Sequence, residues 1–244
     1  METVSNGALI YWEARGEGPP LVMLHGNGED MSVFSAQVPE FSREFMVISI
    51  DSRGHGKSTA GGGKLSLYDM ARDVVAVMDD AKIKKAHILG FSDGGNIGLI
   101  MAVKYPERVS SLVLTGANAD PSGIKFKYIF PMWMEQAALT LKAPFSPEAC
   151  RKKDLLDLMI REPRLRKWDL QSIKVPTLIT MGEHDIISRT HGQYLHNNIS
   201  GSEFHLFPGG HFTPVKRPEM YNKVVLDFFE KTGHGAVTYP GSLN

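Results

Sequence analysis

A chain of 244 residues with 27 Lys and Arg against 27 Asp and Glu carries no formal net charge at pH 7, so no global field draws it to nucleic acid or to a membrane. Its length suits one α/β unit with a sizeable core and at most a small appended subdomain. The single cysteine, Cys150, excludes an intramolecular disulfide and a cysteine-based metal cluster. The opening residues lack a signal peptide's apolar core, and no apolar run approaches the roughly 18 residues of a membrane span. The expectation is a cytoplasmic protein whose partners are small molecules.

In chain order, "ALIYWEA" (8–14) alternates like an exposed strand and is followed by the turn "RGEGPP". Continuous apolar runs then recur at 21–25, 45–50, 86–90, 111–116, 176–182 and 203–207, as in strands buried on both faces of a parallel sheet. Between them, 65–81, 95–105 and 218–231 are apolar at helical spacing. The alternation predicts an α/β fold with a doubly wound, mostly parallel sheet. More than fifty residues, 117–172, separate two of the strands. They are expected to form a small helical cap, with Ser146 as N-cap and Pro147 at the first helical position of one helix. Residues 1–116 and 173–244 then make the core, ending in a loosely ordered tail, "TGHGAVTYPGSLN".

Ligands of open α/β sheets bind beyond the carboxyl ends of the strands. After the third buried run, "GFSDGG" puts Ser92 between Gly90 and Gly94, where a sharp strand-to-helix turn leaves no room for side chains. A serine hydroxyl needs a base that is itself oriented by a carboxylate. "FPGGHFTP" offers His211 and "MGEHDIIS" offers Asp185, in the chain order Ser, Asp, His, although Glu183 and Asp120 are rival acids. Oxyanion donors are expected at the backbone N–H groups of Asp93 and of Asn27 in "LHGNGED". "SRGHGKST" ends like a phosphate-binding loop, but Asp51 stands where its leading glycine belongs. It reads as a structural turn in which Arg53 pairs locally.

"HGNG", "DSRGHGKS", "GFSDGG", "MGEHD" and "GGH", in this order, resemble the α/β-hydrolase superfamily, and the resemblance covers nearly the whole chain. "GFSDGG" with "KYPERVSSLVLTGANA" is similar to the valacyclovirase-like (biphenyl hydrolase-like) amino-acyl ester hydrolases. That resemblance implies Ser92 as nucleophile, Asp185 as acid, His211 as base and Asp93 as an amine-binding residue. A plainer role for the Asp93 carboxylate is to complement the dipole of the helix it opens. In "KYIFPMWMEQ", Trp133 and Met134 are candidates for an acyl pocket, against ordinary packing of the cap. Neither a cofactor nor a metal is expected; His184 and His191 lack the spacing of a known site. The function expected is hydrolysis of small carboxylic esters, α-aminoacyl esters included, through an acyl-enzyme. Enol-lactonases and C–C bond hydrolases share the same three residues, and the fold also hosts lyases, perhydrolases and ligand receptors.

Overall fold

Apolar side chains that alternate between two faces force each strand to be covered twice. The computed structural model, which describes residues 1–233, shows how this is achieved. The strands are β1 (Glu2–Ser5), β2 (Ala8–Arg15), β3 (Pro20–Leu24), β4 (Met46–Ile50), β5 (Ala86–Phe91), β6 (Val109–Thr115), β7 (Thr177–Gly182) and β8 (Glu203–Phe207). They form one sheet in the order β1-β2-β4-β3-β5-β6-β7-β8. The pairs β1/β2 and β2/β4 are antiparallel and all the others parallel. The helices are α1 (Val38–Phe41), α2 (Leu67–Asp80), α3 (Asp93–Lys104), α4 (Phe126–Lys142), α5 (Pro147–Arg161), α6 (Lys167–Ser172), α7 (Arg189–Asn198), α8 (Thr213–Lys216) and α9 (Pro218–Lys231).

Alternate residues of one strand feed two cores. Val22 and Leu24 of β3 join α2 and α3 residues such as Val74, Val77, Ile97 and Ile100 on one face. Leu21 and Met23 join Phe41 of α1 and Tyr221, Val225, Phe228 and Phe229 of α9 on the other. Helix α2 starts where Ser66 accepts the Tyr68 N–H, and it turns Leu67, Met70, Ala71, Val74, Val77 and Met78 inward at the spacing of an amphipathic helix. Strand β2 is less exposed than its alternation suggests. Ala8, Ile10 and Trp12 are buried, and the short β1, which carries little apolar signal, forms the outer edge beside it.

Between β6 and β7 the chain runs through α4, α5 and α6. Ser146 caps α5, its hydroxyl accepting the Ala149 N–H, with Pro147 following. Helices α4 and α5 pack on each other, while α6 packs against α3 and α7 and buries Leu170 in the main core. The tail from residue 234 onward lies outside the described residues.

The chain leaves β3 toward β4 on one side and returns to β5 on the other. This reversal of strand order opens a crevice at the carboxyl ends of β3 and β5, the position where doubly wound sheets bind ligands. The turn after β3 carries His25 to Glu29, and the turn after β5 carries Ser92.

Candidate active site

Ser92 joins β5 to α3 with φ 54° and ψ −119°, a left-handed backbone that a residue with a Cβ rarely adopts. The strain is held by close packing. A methyl group at Gly90 would overlap the Gly94 carbonyl, and one at Gly94 would overlap the Leu24 carbonyl. The Ser92 N–H donates to the Thr115 carbonyl at 2.8 Å, and the Ser92 carbonyl accepts the N–H groups of Gly95 and Asn96. The hydroxyl thus stands above the first turn of α3, whose leading N–H groups have no partner within the helix.

The loop after β8 brings His211 to this hydroxyl, Nε2 to Oγ 3.0 Å. On the other side of the ring, Nδ1 is 2.6 Å from Oδ1 of Asp185. With the Nδ1 proton on that bond, Nε2 is left as an acceptor for the serine hydroxyl. Asp185 is fully buried in the turn after β7 and accepts N–H groups from Gly182 and Ile187. Burial by itself would raise its pKa. The hydrogen bond and charge of His211, with the two backbone donors, outweigh burial and hold the carboxyl below its usual range. Of the rival acids, Asp120 caps a short turn by accepting the Ser122 N–H, and Glu183 is exposed.

The turn after β3 packs directly on the serine: a Cβ on Gly26 would come within 3.0 Å of the Ser92 Cβ. Its geometry is fixed by His25, whose Nδ1–H donates to the Gly26 carbonyl and whose Nε2 accepts the Ser52 N–H. Burial lowers the His25 pKa to about 4, so the ring is neutral at ordinary pH. Asn27 follows Gly26. Its side-chain amide donates to Oδ2 of Asp93 at 2.9 Å and to the Leu155 carbonyl of α5 at 3.0 Å, tying the inserted helices to the turn that carries Ser92.

Asp93 is only 7 % exposed. Its Oδ1 accepts from Asn96, which also binds the backbone and side chain of Asn118, so one buried polar network links the loops after β3, β5 and β6. Burial pushes the Asp93 carboxyl up, against the pull of Asn27, His55, Asn96 and His211. A second carboxylate lies nearby, unremarked by the sequence patterns. Glu29 accepts the Gly26 N–H at 3.0 Å, and its Oε2 lies on the side of Gly26 that faces Ser92. Its pKa is raised chiefly by burial, with smaller upward contributions from Asp30 and Asp93. Among the described residues neither Glu29 nor Asp93 forms an ion pair with Lys or Arg.

The turn "DSRGHGKS" is structural, but Arg53 does not pair locally. It reaches α2 and forms a two-pronged buried pair with Asp73, Nε to Oδ2 2.6 Å. Asp51 accepts the Met31 and Lys57 N–H groups. His55 donates Nδ1–H to the Arg53 carbonyl and leaves Nε2 buried without a partner. Trp133 and Met134 are 46 and 60 % exposed. They share the exposed side of α4 with Phe126 and Phe130, the Phe126 ring touching those of Phe130 and Trp133, while Ile129 packs inward. Among the described residues no group of three or more His, Cys, Asp or Glu is arranged to hold a metal. His191 instead accepts the Ala119 N–H.

Residues 19–148 match the family model described as alpha/beta hydrolase fold. The chain belongs to the α/β-hydrolase fold family. Serine hydrolase BPHL of Homo sapiens is 30 % identical over 92 % of this chain and 84 % of its own length. The 2-hydroxy-6-oxo-6-phenylhexa-2,4-dienoate hydrolase of Comamonas testosteroni is 27 % identical over 91 % of this chain and 92 % of its own. Among solved structures, Est816, described as an N-acyl homoserine lactone degrading enzyme, superposes with a TM-score of 0.78 at 28 % identity, covering 93 % of this chain and 100 % of the other. No helix among the described residues is long and apolar enough to cross a membrane.

Proposed function

We propose that this member of the hydrolase family is a serine hydrolase that cleaves small carboxylic esters through an acyl-enzyme. The observation that carries this reading is the hydrogen-bonded row Ser92, His211, Asp185, with its 3.0 and 2.6 Å contacts. In the proposed reaction, His211 Nε2 takes the Ser92 proton as Oγ attacks the ester carbonyl, and Asp185 stabilises the imidazolium that forms. The oxyanion is received by the backbone N–H groups of Asn27 and Asp93. Collapse expels the alcohol, which His211 protonates. His211 then activates a water that releases the acid and frees Ser92.

For the substrate we propose α-aminoacyl esters. Two carboxylates beside the nucleophile, Asp93 and Glu29, oppose an oxyanion unless a substrate cation offsets them, and an α-ammonium does so. Asp93 has room for it in hydrogen-bonding terms, since a carboxylate offers about four acceptor sites and Asn27 and Asn96 occupy two. The single cysteine and the absence of a membrane-crossing helix among the described residues are compatible with a reducing, cytoplasmic setting.

Labelling with a fluorophosphonate probe, followed by assays on p-nitrophenyl esters, lactones and aminoacyl esters, tests this. Labelling of wild type but not of Ser92→Ala, with turnover of esters, is expected. A protein that resists the probe sinks the nucleophile assignment. Labelling without turnover of any ester moves the assignment to a receptor or a non-hydrolytic enzyme, and faster turnover of lactones than of esters makes it a lactonase.

A further inference from the structure

Helix α4 carries an exposed apolar face. At 3.6 residues per turn, Phe126, Phe130, Trp133, Met134, Ala137 and Leu141 fall within an arc of about 100°, and no polar residue interrupts it. Phe126 and Leu141 are 69 and 77 % exposed, and Phe145, just beyond the helix, is 87 % exposed. Outside the arc, the buried Ile129 and half-buried Tyr128 pack inward. Single exposed apolar side chains are ordinary, but a continuous stripe along four turns marks a contact surface.

Lys127 borders the arc and is the charge of this helix nearest to it. Lys142 closes the helix about 80° beyond the edge of the arc, and the helix's only carboxylate, Glu135, lies about 100° beyond it and is held by Lys152 at 2.6 Å. The zero net charge of the chain hides a local excess, for residues 117–172 hold ten Lys and Arg against seven Asp and Glu.

We propose that the outer face of α4 docks on an anionic lipid surface. The helix lies in the plane of the interface, its aromatic and aliphatic stripe among the acyl chains and Lys127 and Lys142 at the headgroup phosphates. Trp133 suits this position, having an apolar body and one polar N–H. A second copy of the chain fits less well. Antiparallel pairing about a two-fold axis would bring Lys127 of one copy toward Lys142 of the other. This mode needs no helix long enough to cross the membrane.

Co-sedimentation of the full chain with vesicles of phosphatidylcholine, with and without phosphatidylglycerol, tests the proposal. Binding to the anionic vesicles that weakens with added salt is expected. The combined variant Phe130→Ser, Trp133→Ser, Met134→Ser should bind at least about tenfold more weakly. Lys127→Glu with Lys142→Glu should abolish the preference for anionic vesicles. All five side chains point outward, so circular dichroism and melting temperature should match wild type. The proposal is overturned if wild type binds neither vesicle, or if both variants bind as wild type does. It is equally overturned if wild type is a dimer that the serine variant turns into a monomer while vesicles bind neither.

Discussion

At Ser92 the backbone φ of 54° is a cost that only the surrounding contacts maintain, and it lifts the hydroxyl clear of the sheet. On the proposed mechanism, in which the three residues act as a unit, Ser92→Ala or His211→Ala should each lower ester turnover by a factor on the order of 10⁶. Asp185→Asn should cost less than either. If Asp120→Asn proved more damaging than Asp185→Asn, the acid would be misassigned. Glu29 offers a second test. Gln at this position can still accept the Gly26 N–H but removes a negative charge beside the proposed oxyanion position. Glu29→Gln should therefore hydrolyse neutral esters as fast as wild type, or up to about tenfold faster, while losing part of its preference for an aminoacyl ester. Measured kcat/KM for a matched pair, with and without the amine, decides the matter. A uniform loss on both substrates would mean that Glu29 only shapes the turn.

At the scale of elements, the turn after β4 is fastened to α2 by the Arg53–Asp73 pair, whose side chains are 4 and 2 % exposed. Removing one partner leaves a buried charge alone, so Asp73→Ala should cost about 3 to 5 kcal/mol of stability. Replacing both with apolar residues of similar volume should cost far less, and urea unfolding distinguishes the two results. An equal loss in both variants would show that packing, not the stranded charge, sets the cost. This pair was not legible in the sequence, because tertiary pairing across twenty residues leaves no local pattern. The parallel strands were legible, since burial on both faces demands uninterrupted apolar runs. So was the tight turn at Ser92, because close backbone approach demands glycine at both flanks. Strand β1 escaped notice at only four residues, and α7, with Gly192 in a largely polar sequence, gives a weak helical signal. Glu29 and the orphan nitrogen of His55 sit inside glycine turns, where only the folded chain reveals what they face.

Across the whole molecule, the loops after β3, β5 and β6 meet at the crevice and are joined there by buried polar groups, which couples the site to stability through protonation. Asp185, whose pKa is lowered, contributes stability that is complete above the ordinary aspartate value near 4 and is lost as pH falls through its depressed value. Asp93 behaves in the opposite sense. Its raised pKa means that the folded state holds the proton more tightly, so its contribution is complete below about pH 4 and is lost as pH rises through the elevated value. Wild type should thus weaken below about pH 4 through Asp185 and lose further stability above it through Asp93. Asparagine at position 93 does not titrate, and it exchanges one accepted hydrogen bond for a mismatch with Asn27 or Asn96, a fixed cost. The unfolding free energy of Asp93→Asn relative to wild type should therefore shift in the variant's favour as pH rises from about 4, and level off once Asp93 is ionised in wild type. Urea unfolding of both proteins at stepped pH measures this difference directly. A difference that stays constant with pH, or drifts in favour of wild type, would show that burial does not hold the Asp93 proton, and that its charge is already compensated in the folded protein without a substrate cation.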